Sequence, residues 1–318
     1  MDAAGTKGYR GLRETSAWMD LSARGKIRMT GDDRVRLLHA MVTQHVEQMT
    51  PGTGGYAFFL NAQGRILGDA NVFCFEDYLL LDTEPETRQK LYEHVDHYII
   101  ADDVTLEDAT SRTATIAIEG PEAAAVLQKL GAPAPGPDYT PWPDYATGPW
   151  GERTVARVNS TGGNGFFVFL PAEEKASLTA ALMAAGVPEA TPDDARVVRI
   201  EHGRPRYGEE ITERYLVQET GQLHAVHFAK GCYLGQEIVE RVRSRAQIHR
   251  GLHRLEIETA EPPAAGVKLN SGEADAGEIA SAAFSPALGK VVAMAYVRTL
   301  FAEPGTELLA GSARARVI

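Results

Sequence analysis

Cysteine is scarce in this sequence: Cys74 and Cys232 are the only two among 318 residues. Two thiols cannot build a disulfide framework, and they fall short of the roughly four thiolates that usually hold an iron–sulfur cluster. Metal-ligand spacings such as CxxC or HExxH are missing as well, so the sequence predicts no metal site. Sparing use of cysteine is typical of a reducing compartment, and we therefore expect a cytoplasmic protein.

Long apolar runs and an excess of basic charge are also missing. No apolar stretch approaches the ~20 residues that span a bilayer, and the N-terminal segment lacks the apolar core of a signal peptide, so we expect no membrane association. The formal net charge is -11. General nucleic-acid binding requires clustered Lys and Arg to neutralise phosphates, so direct nucleic-acid binding is disfavoured.

Several motifs of common enzyme classes are absent from the sequence. It contains neither a Walker phosphate-binding loop nor a GxSxG nucleophile elbow, which disfavours a P-loop nucleotidase and an α/β-hydrolase. The glycine-rich segment 162–165 lies between two predicted strands. It is therefore interpreted as a hairpin turn and not as a phosphate cradle.

Strand and helix periodicities are mixed along the chain. Segments 56–60, 66–75 and 78–82 predict an antiparallel series of strands, and 86–98 predicts a helix. A proline-rich stretch, 131–150, predicts a long loop whose aromatic residues pack on a surface. The tail beyond Pro262-Pro263 predicts a small β barrel or sandwich. Because strands and helices do not alternate regularly, we expect an α+β fold and not a doubly wound sheet.

The most informative segment is KGCYLGQE, residues 230–237. Its two glycines allow sharp turns, and Cys232 lies just before a helix predicted for 236–245. The partial positive charge of a helix N-terminus, together with Lys230, would stabilise a thiolate. We therefore predict Cys232 and Lys230 as catalytic residues. The alternative is a buried structural cysteine, which is the role that we predict for Cys74 within an apolar strand.

Two carboxylates and one basic run are further candidates. Glu201 lies beside the apolar residues Val198 and Ile200, so it is either paired with an arginine or directed into a cleft. Asp69 begins a hairpin strand, where it could also be an ordinary turn residue. The segment 241–254 is rich in Arg and His, which indicates an anionic partner (carboxylates, phosphates or an RNA backbone) or a solvated helix face.

The KGCYLGQE segment resembles the signature of YgfZ-type folate-binding proteins, which are relatives of the glycine-cleavage T-protein, an aminomethyltransferase. Other segments resemble that superfamily in the expected order: Gly31-Asp32, Leu60–Arg65, Ile118–Pro121, Arg199–Gly203, Tyr207–Glu210 and Phe284–Gly289. The resemblance covers nearly the whole chain. KGCYxGQE is specific to the YgfZ side, whereas the other segments fit the superfamily at large.

This resemblance implies a three-domain architecture around a central folate site. We expect a folate-binding region over 1–248, with an inner segment at about 50–110, and a C-terminal β barrel over 249–318. Tetrahydrofolate is the implied cofactor. By position, Glu201 and Asp69 would contact the pterin, while Lys230 and Arg241 are candidates for binding the folate, whose glutamate tail requires cations.

The same resemblance implies an accessory role in assembling or repairing iron–sulfur proteins, including enzymes that modify tRNA. The expected partners are folate and iron–sulfur assembly proteins or client enzymes. The alternative is a folate-dependent one-carbon (aminomethyl) transferase. Gly68 replaces one of the paired acids of the T-protein, and 162–164 replaces its tyrosine-bearing turn. These departures favour folate binding without classical enzyme activity. A third hypothesis, an RNA-binding module using 241–254, is disfavoured by the acidic net charge.

Overall fold

Alternating apolar residues build two five-stranded antiparallel sheets and one closed barrel in the computed structural model, which describes residues 5–133, 142–245 and 248–318. The helices are α1 (Lys7–Glu14), α2 (Arg34–Met41), α3 (Arg88–His97), α4 (Ala123–Lys129), α5 (Lys175–Ala184), α6 (Pro192–His202) and α7 (Gln236–Arg245). Within the described ranges, no helix is both long and apolar enough to cross a bilayer.

The strands fall into three groups along the chain. The first sheet, in the order β1-β7-β10-β9-β8, contains β1 (Ala17–Asp20), β7 (Thr113–Glu119), β8 (Thr147–Trp150), β9 (Arg153–Ala156) and β10 (Gly165–Pro171). The second, in the order β3-β4-β5-β2-β6, contains β2 (Gly25–Thr30), β3 (Gly54–Leu60), β4 (Ile66–Cys74), β5 (Leu79–Thr83) and β6 (Thr105–Asp108). The barrel contains β11 (Arg250–Ile257), β12 (Lys268–Ser271), β13 (Ala274–Ser285), β14 (Lys290–Arg298), β15 (Glu307–Ala310) and β16 (Ala313–Val317).

The first sheet buries one face against two helices. Ile116 and Ile118 of β7 lie opposite Val168 and Phe166 of β10, and these side chains pack with apolar residues of α4 and α5. Trp142 and Trp150 pack against the same cluster, and Tyr145 packs against two others, as predicted for the aromatic residues of the proline-rich stretch. Residues 134–141 of that stretch lie outside the described ranges.

The second sheet is buried on both faces, which positions the candidate site. Ala57 and Phe59 of β3 face the core with α2 and α3, whereas Tyr56, Phe58 and Leu60 face a separate cluster formed with residues 207–239. This division follows from the two-residue period of a strand. The predicted strands at 56–60, 66–75 and 78–82 and the helix at 86–98 are confirmed, with ends shifted by at most two residues.

The C-terminal barrel closes with six strands in the order β11-β14-β13-β12-β15-β16. Its interior holds buried aliphatic side chains such as Leu255, Val291 and Ala293. Helix α6 packs on its outside through Ile200, which contacts Val292 and Met294. The predicted β barrel is therefore confirmed, and its first strand begins before Pro262.

Two short helices begin a few residues after a proline. Helix α4 begins at Ala123, so Pro121 precedes the helix and does not occupy its first position. Residues 172–174 form a 3-10 turn, and α5 begins only at Lys175. Asp33 holds the N-cap position of α2 but makes no capping hydrogen bond there; its carboxylate instead accepts from the backbone N–H of Asp103 and pairs with Arg36.

Gly235 of the KGCYLGQE segment sits directly on the β3–β4 turn. Its φ is +84°, and a Cβ added to it would lie 2.6 Å from the carbonyl oxygen of Asn61. Gly266, in the barrel, has a similar φ of +86°, but a Cβ added there would meet nothing within 4 Å. Gly235 therefore combines a left-handed backbone with a close approach to the second sheet.

We predict that Gly235→Ala destabilises the protein more than Gly266→Ala. Left-handed backbone alone costs a non-glycine residue about 1–2 kcal/mol, and the collision with Asn61 adds at least about 1 kcal/mol at position 235. Urea denaturation of both variants and the unmutated protein measures the difference. Equal losses for the two variants would show that the contact with Asn61 is unimportant.

Candidate functional site

Asp69 is a buried carboxyl on the inner face of the second sheet. It lies on β4 opposite Phe58 of β3, so its side chain points into the cluster that Tyr56 also lines. The hydroxyl of Tyr56 donates a hydrogen bond of 2.5 Å to Asp69 Oδ2. Thr83 on β5 donates to the backbone carbonyl of Asp69 at 2.5 Å. The Tyr56 bond thus holds the carboxyl, and the Thr83 bond holds the backbone of the strand that carries it.

Burial shifts this carboxyl toward its neutral form. Desolvation and the nearby Glu84 raise the pKa of Asp69 to about 6, while the Tyr56 hydrogen bond and the cations Arg24 and Arg204 act in the opposite direction. A carboxyl that titrates near neutral pH can accept or release a proton under ordinary conditions. Such groups are concentrated at functional sites, although buried networks also produce them.

A guanidinium and two rings surround the Asp69–Tyr56 pair. The guanidinium carbon of Arg204 lies 5.5 Å from the centroid of the Tyr56 ring, within cation–π range. The ring of His224 stacks on Tyr56, with centroids 5.6 Å apart and planes 22° apart. Burial lowers the pKa of His224, and the positive charge of Arg204 lowers it further.

Tyr145 completes the cluster from the proline-rich stretch. Its φ of +65° makes it the single non-glycine residue with positive φ in the part of the chain that the structure describes. This strained conformation is held by a 2.8 Å hydrogen bond from the Tyr145 backbone N–H to the carbonyl of Arg157. Burial raises the pKa of Tyr145, and a side-chain hydrogen bond with Arg204 opposes that rise.

The arrangement brings a carboxyl, a guanidinium and aromatic rings together at one point. We call Tyr56, Asp69, Tyr145, Arg204 and His224 the Asp69 cluster. Its groups are chemically suited to a flat, polar ring system: aromatic rings can stack on it, a carboxylate can accept its N–H groups, and a guanidinium can donate to its oxygen or nitrogen atoms. Of these five residues, only Asp69 was predicted from the sequence to act in the site.

Glu201 lies in a different cluster. The hydroxyl of Tyr9 donates to Glu201 Oε1 at 2.6 Å, and Arg13 pairs with Oε2. The backbone N–H of Ala287 in turn donates to the Tyr9 hydroxyl at 3.2 Å. Of the two possibilities left open by the sequence, the structure therefore shows the arginine-paired carboxylate. A contact between Glu201 and a pterin stays a prediction.

Lys230 is directed toward backbone carbonyls. Its Nζ donates to the carbonyls of His39, Val42 and Gln44 at 2.5, 2.5 and 3.0 Å. Desolvation lowers the pKa of Lys230 to about 7, although Glu47 partly opposes this. These bonds occupy all three N–H donors of an ammonium group. Activation of Cys232 by Lys230 and contact of Lys230 with folate stay predictions.

Cys232 is exposed and precedes α7, as predicted from the sequence. Its neighbour Tyr233 is buried in the same apolar cluster as Tyr56, so the KGCYLGQE segment forms part of the wall behind the Asp69 cluster. Cys74 is buried in the core with α2 and α3, which confirms its predicted structural role.

Among the described residues of the basic run at 241–254, two arginines bind other parts of the chain. Arg241 is exposed on α7, and its binding of folate stays a prediction. Arg250 pairs with Glu219 at 2.8 Å, and Arg254 donates to the carbonyl of Glu201 at 2.9 Å. Gly68, which departs from the T-protein pattern, packs closely on a helix: a Cβ added there would lie 3.0 Å from Leu91 of α3.

Two models of known protein families match this chain. Residues 1–230 match the family model described as the GCVT N-terminal domain, and residues 250–317 match the glycine cleavage T-protein C-terminal barrel domain. An aminomethyltransferase of Rubrobacter xylanophilus is 30% identical, over 91% of this chain and 78% of that protein. A putative chloroplastic transferase of Arabidopsis thaliana is 27% identical, over 79% of this chain and 59% of that protein.

A solved structure has the same fold. The crystal structure of the glycine cleavage system aminomethyltransferase T from Bartonella henselae superposes with a TM-score of 0.88 at 22% identity, covering 98% of this chain and 87% of that chain. This confirms the predicted α+β, three-domain, T-protein-like architecture with a small C-terminal β barrel.

We predict that Asp69→Asn changes how stability depends on pH. Because folding raises the pKa of Asp69 from about 3.9 to about 6, the folded protein binds the proton more tightly, and the unmutated protein loses stability as the pH rises between those values. The variant lacks this loss. Its free energy of unfolding, relative to the unmutated protein, should therefore increase across that range, by at most about 3 kcal/mol.

Urea denaturation on both sides of this pH range measures the effect, with Asp96→Asn on the exposed face of α3 as the control. A constant difference between Asp69→Asn and the unmutated protein at all pH values would contradict a raised pKa at Asp69.

Proposed function

The chain belongs to the glycine cleavage T-protein family, and from that premise we propose that it binds tetrahydrofolate at the Asp69 cluster and uses it in one-carbon (aminomethyl) transfer. The observation that carries this proposal is the buried Asp69–Tyr56 pair with Arg204 beside it. The aminomethyltransferases among its relatives support the transferase interpretation better than the accessory role that the KGCYLGQE motif put first, and they give no support to the expectation of a protein without classical enzyme activity.

The residues of the cluster fit a reduced folate. A pterin is flat and carries several N–H donors, which a buried carboxylate accepts and aromatic side chains flank. In this proposal Asp69 accepts pterin N–H groups, while Tyr56 holds the carboxyl in place through Oδ2. Tyr145 and His224 flank the ring. Arg204 donates to the remaining acceptor atoms of the ligand.

Asp69 also supplies the proton chemistry. Its pKa of about 6 means that the carboxyl is partly ionised near neutral pH. It can therefore take up a proton from a folate amine or return one to it. Tyr56 and Arg204 would adjust this behaviour, because both stabilise the ionised form of Asp69. Tetrahydrofolate itself would carry the one-carbon unit.

The second candidate function is the accessory role in assembling or repairing iron–sulfur proteins, including tRNA-modifying enzymes, which the YgfZ-type motif implies. The specific observation in its favour is the exposure of Cys232 at the surface, ahead of α7. An exposed thiol can be shared with an assembly protein or client enzyme, whereas a buried one cannot. Both candidates need folate binding, and both are consistent with a cytoplasmic protein.

We predict that tetrahydrofolate binds the unmutated protein and that Asp69→Asn weakens this binding about tenfold or more, because a hydrogen bond to a charged group is worth about 1.5–3 kcal/mol. Isothermal titration calorimetry measures the dissociation constants. The control is Asp96→Asn, which removes an exposed carboxylate from α3 and should bind as the unmutated protein does. Absence of binding, or equal affinity of Asp69→Asn and the unmutated protein, would contradict the proposal.

The two candidate functions give opposite results in a further pair of measurements. If the protein is a transferase, it turns over an aminomethyl or methyl donor with tetrahydrofolate, and Cys232→Ala retains that turnover. If it is an accessory protein, Cys232→Ala in the native host lowers the activity of an iron–sulfur enzyme. The control is Cys74→Ala, which alters the other thiol. Unchanged iron–sulfur enzyme activity in Cys232→Ala would exclude the accessory role for this thiol.

A further inference from the structure

A second group of polar side chains lies beside the KGCYLGQE segment and shares no residue with the Asp69 cluster. Two imidazoles and one carboxylate, those of His39, His45 and Glu47, each offer a ligand atom, and these atoms all lie within 4.8 Å of one another. His39 is the sixth residue of α2, and the other two flank Val46 at the start of a short 3-10 turn. The sequence predicted no metal site, because this spacing matches none of the common motifs.

We propose that His39, His45 and Glu47 bind one divalent transition-metal ion of the borderline class that includes Zn²⁺ and Fe²⁺. Two imidazoles with one carboxylate and an open position form a ligand set that such ions use. Ligand atoms around a tetrahedral zinc lie about 3.4 Å apart, given metal–ligand distances of about 2.1 Å. His39 Nε2 and Glu47 Oε2 are already 3.7 Å apart. Small rotations of the exposed Glu47 side chain would complete the site.

Unpaired imidazole nitrogens support this proposal independently. Among the described residues, Nδ1 of His45 and Nδ1 of His227 are buried and have no hydrogen-bond partner. The rings are close together: the centroids of His39 and His45 are 4.6 Å apart, and those of His45 and His227 are 4.9 Å apart. A buried polar atom without a partner costs about 1–3 kcal/mol, so a cluster of this kind is expected to have a ligand.

Hydrogen bonds among His39 and Glu47 do not account for the cluster. The backbone N–H of Glu47 lies 3.5 Å from His39 Nδ1, and the side chains are 3.7 Å apart. Both distances exceed those of a firm hydrogen bond. The imidazole is therefore placed near the carboxylate without being satisfied by it.

Hydrogen bonds to residues 225–230 hold the backbone that carries the proposed ligands. Lys230 binds the carbonyls of His39, Val42 and Gln44, as described above. The hydroxyl of Thr43 donates to the carbonyl of Ala225 at 2.6 Å, and the backbone N–H of His227 donates to the carbonyl of Thr43 at 2.9 Å. The ligands are thus positioned before any ion binds, which reduces the entropic cost of binding.

One edge of the site is open. A Cβ added to Gly231 would lie 3.7 Å from His39 Nε2, so the absence of a side chain there leaves space beside the metal-binding nitrogen. Gly231 and Cys232 are both exposed. The fourth coordination position would therefore be available to water or to an external ligand, as in three-ligand zinc sites.

The test uses the full chain without a histidine tag, freed of metal by a chelator. We expect saturable binding of one Zn²⁺ by calorimetry and a visible absorption spectrum with Co²⁺. His45→Asn and Glu47→Gln should each weaken Zn²⁺ binding about tenfold or more, because losing even a residue that only supports a metal ligand costs about 10–100-fold in affinity. The controls His97→Asn and Glu237→Gln alter exposed side chains elsewhere and should bind as the unmutated protein does.

A second measurement uses the unmutated protein, so its result does not depend on whether the variants fold. Zn²⁺ should protect His45 from acylation by diethyl pyrocarbonate, located by mass spectrometry, but should leave His97 reactive in the same sample. The proposal is overturned if neither Zn²⁺ nor Co²⁺ shows saturable binding, if the controls weaken binding as much as Glu47→Gln does, or if Zn²⁺ leaves the acylation of His45 unchanged. None of these outcomes depends on folate binding.

Discussion

The withdrawal of one ammonium group from water determines how the KGCYLGQE segment sits on the second sheet. Removing a charge from water is costly unless hydrogen bonds replace its hydration. Lys230 meets this requirement with three carbonyls at and beyond the C-terminal end of α2, where the helix dipole is negative. The same attachment brings Gly235 onto the β3–β4 turn and Tyr233 into the apolar cluster shared with Tyr56.

Two ionisable groups on either side of this region are shifted toward neutrality for the same reason. Burial lowers the pKa of Lys230 to about 7 and raises that of Asp69 to about 6. Their environments nevertheless differ. Lys230 uses its donors on fixed backbone carbonyls, whereas a carboxyl with Tyr56 on one oxygen retains the capacity to accept further hydrogen bonds. This difference is why the folate proposal rests on Asp69 and not on Lys230.

The sequence predicted the parts of the structure that depend on local pattern. Strands β3, β4 and β5 of the second sheet, the barrel and the position of Cys232 before α7 follow from periodicity, glycine placement and helix signals. The candidate site was harder to predict from the sequence, because it depends on contacts between residues that are far apart along the chain. Nothing local shows that Tyr145 adopts a left-handed backbone or that Arg204 reaches Tyr56. Glu201 was assigned by resemblance, but its partners come from α1, nearly two hundred residues earlier.

The cluster around Glu201 also constrains the order in which tertiary contacts can form. Tyr9 accepts a hydrogen bond from the backbone of Ala287, a residue 278 positions further along the chain. During synthesis this contact of α1 can therefore form only after nearly the entire polypeptide has been made. Contacts of such sequence separation carry a large closure entropy and form late in folding. The contact between α1 and the barrel is thus among the last that synthesis makes possible, although α1 is the first helix to be synthesised.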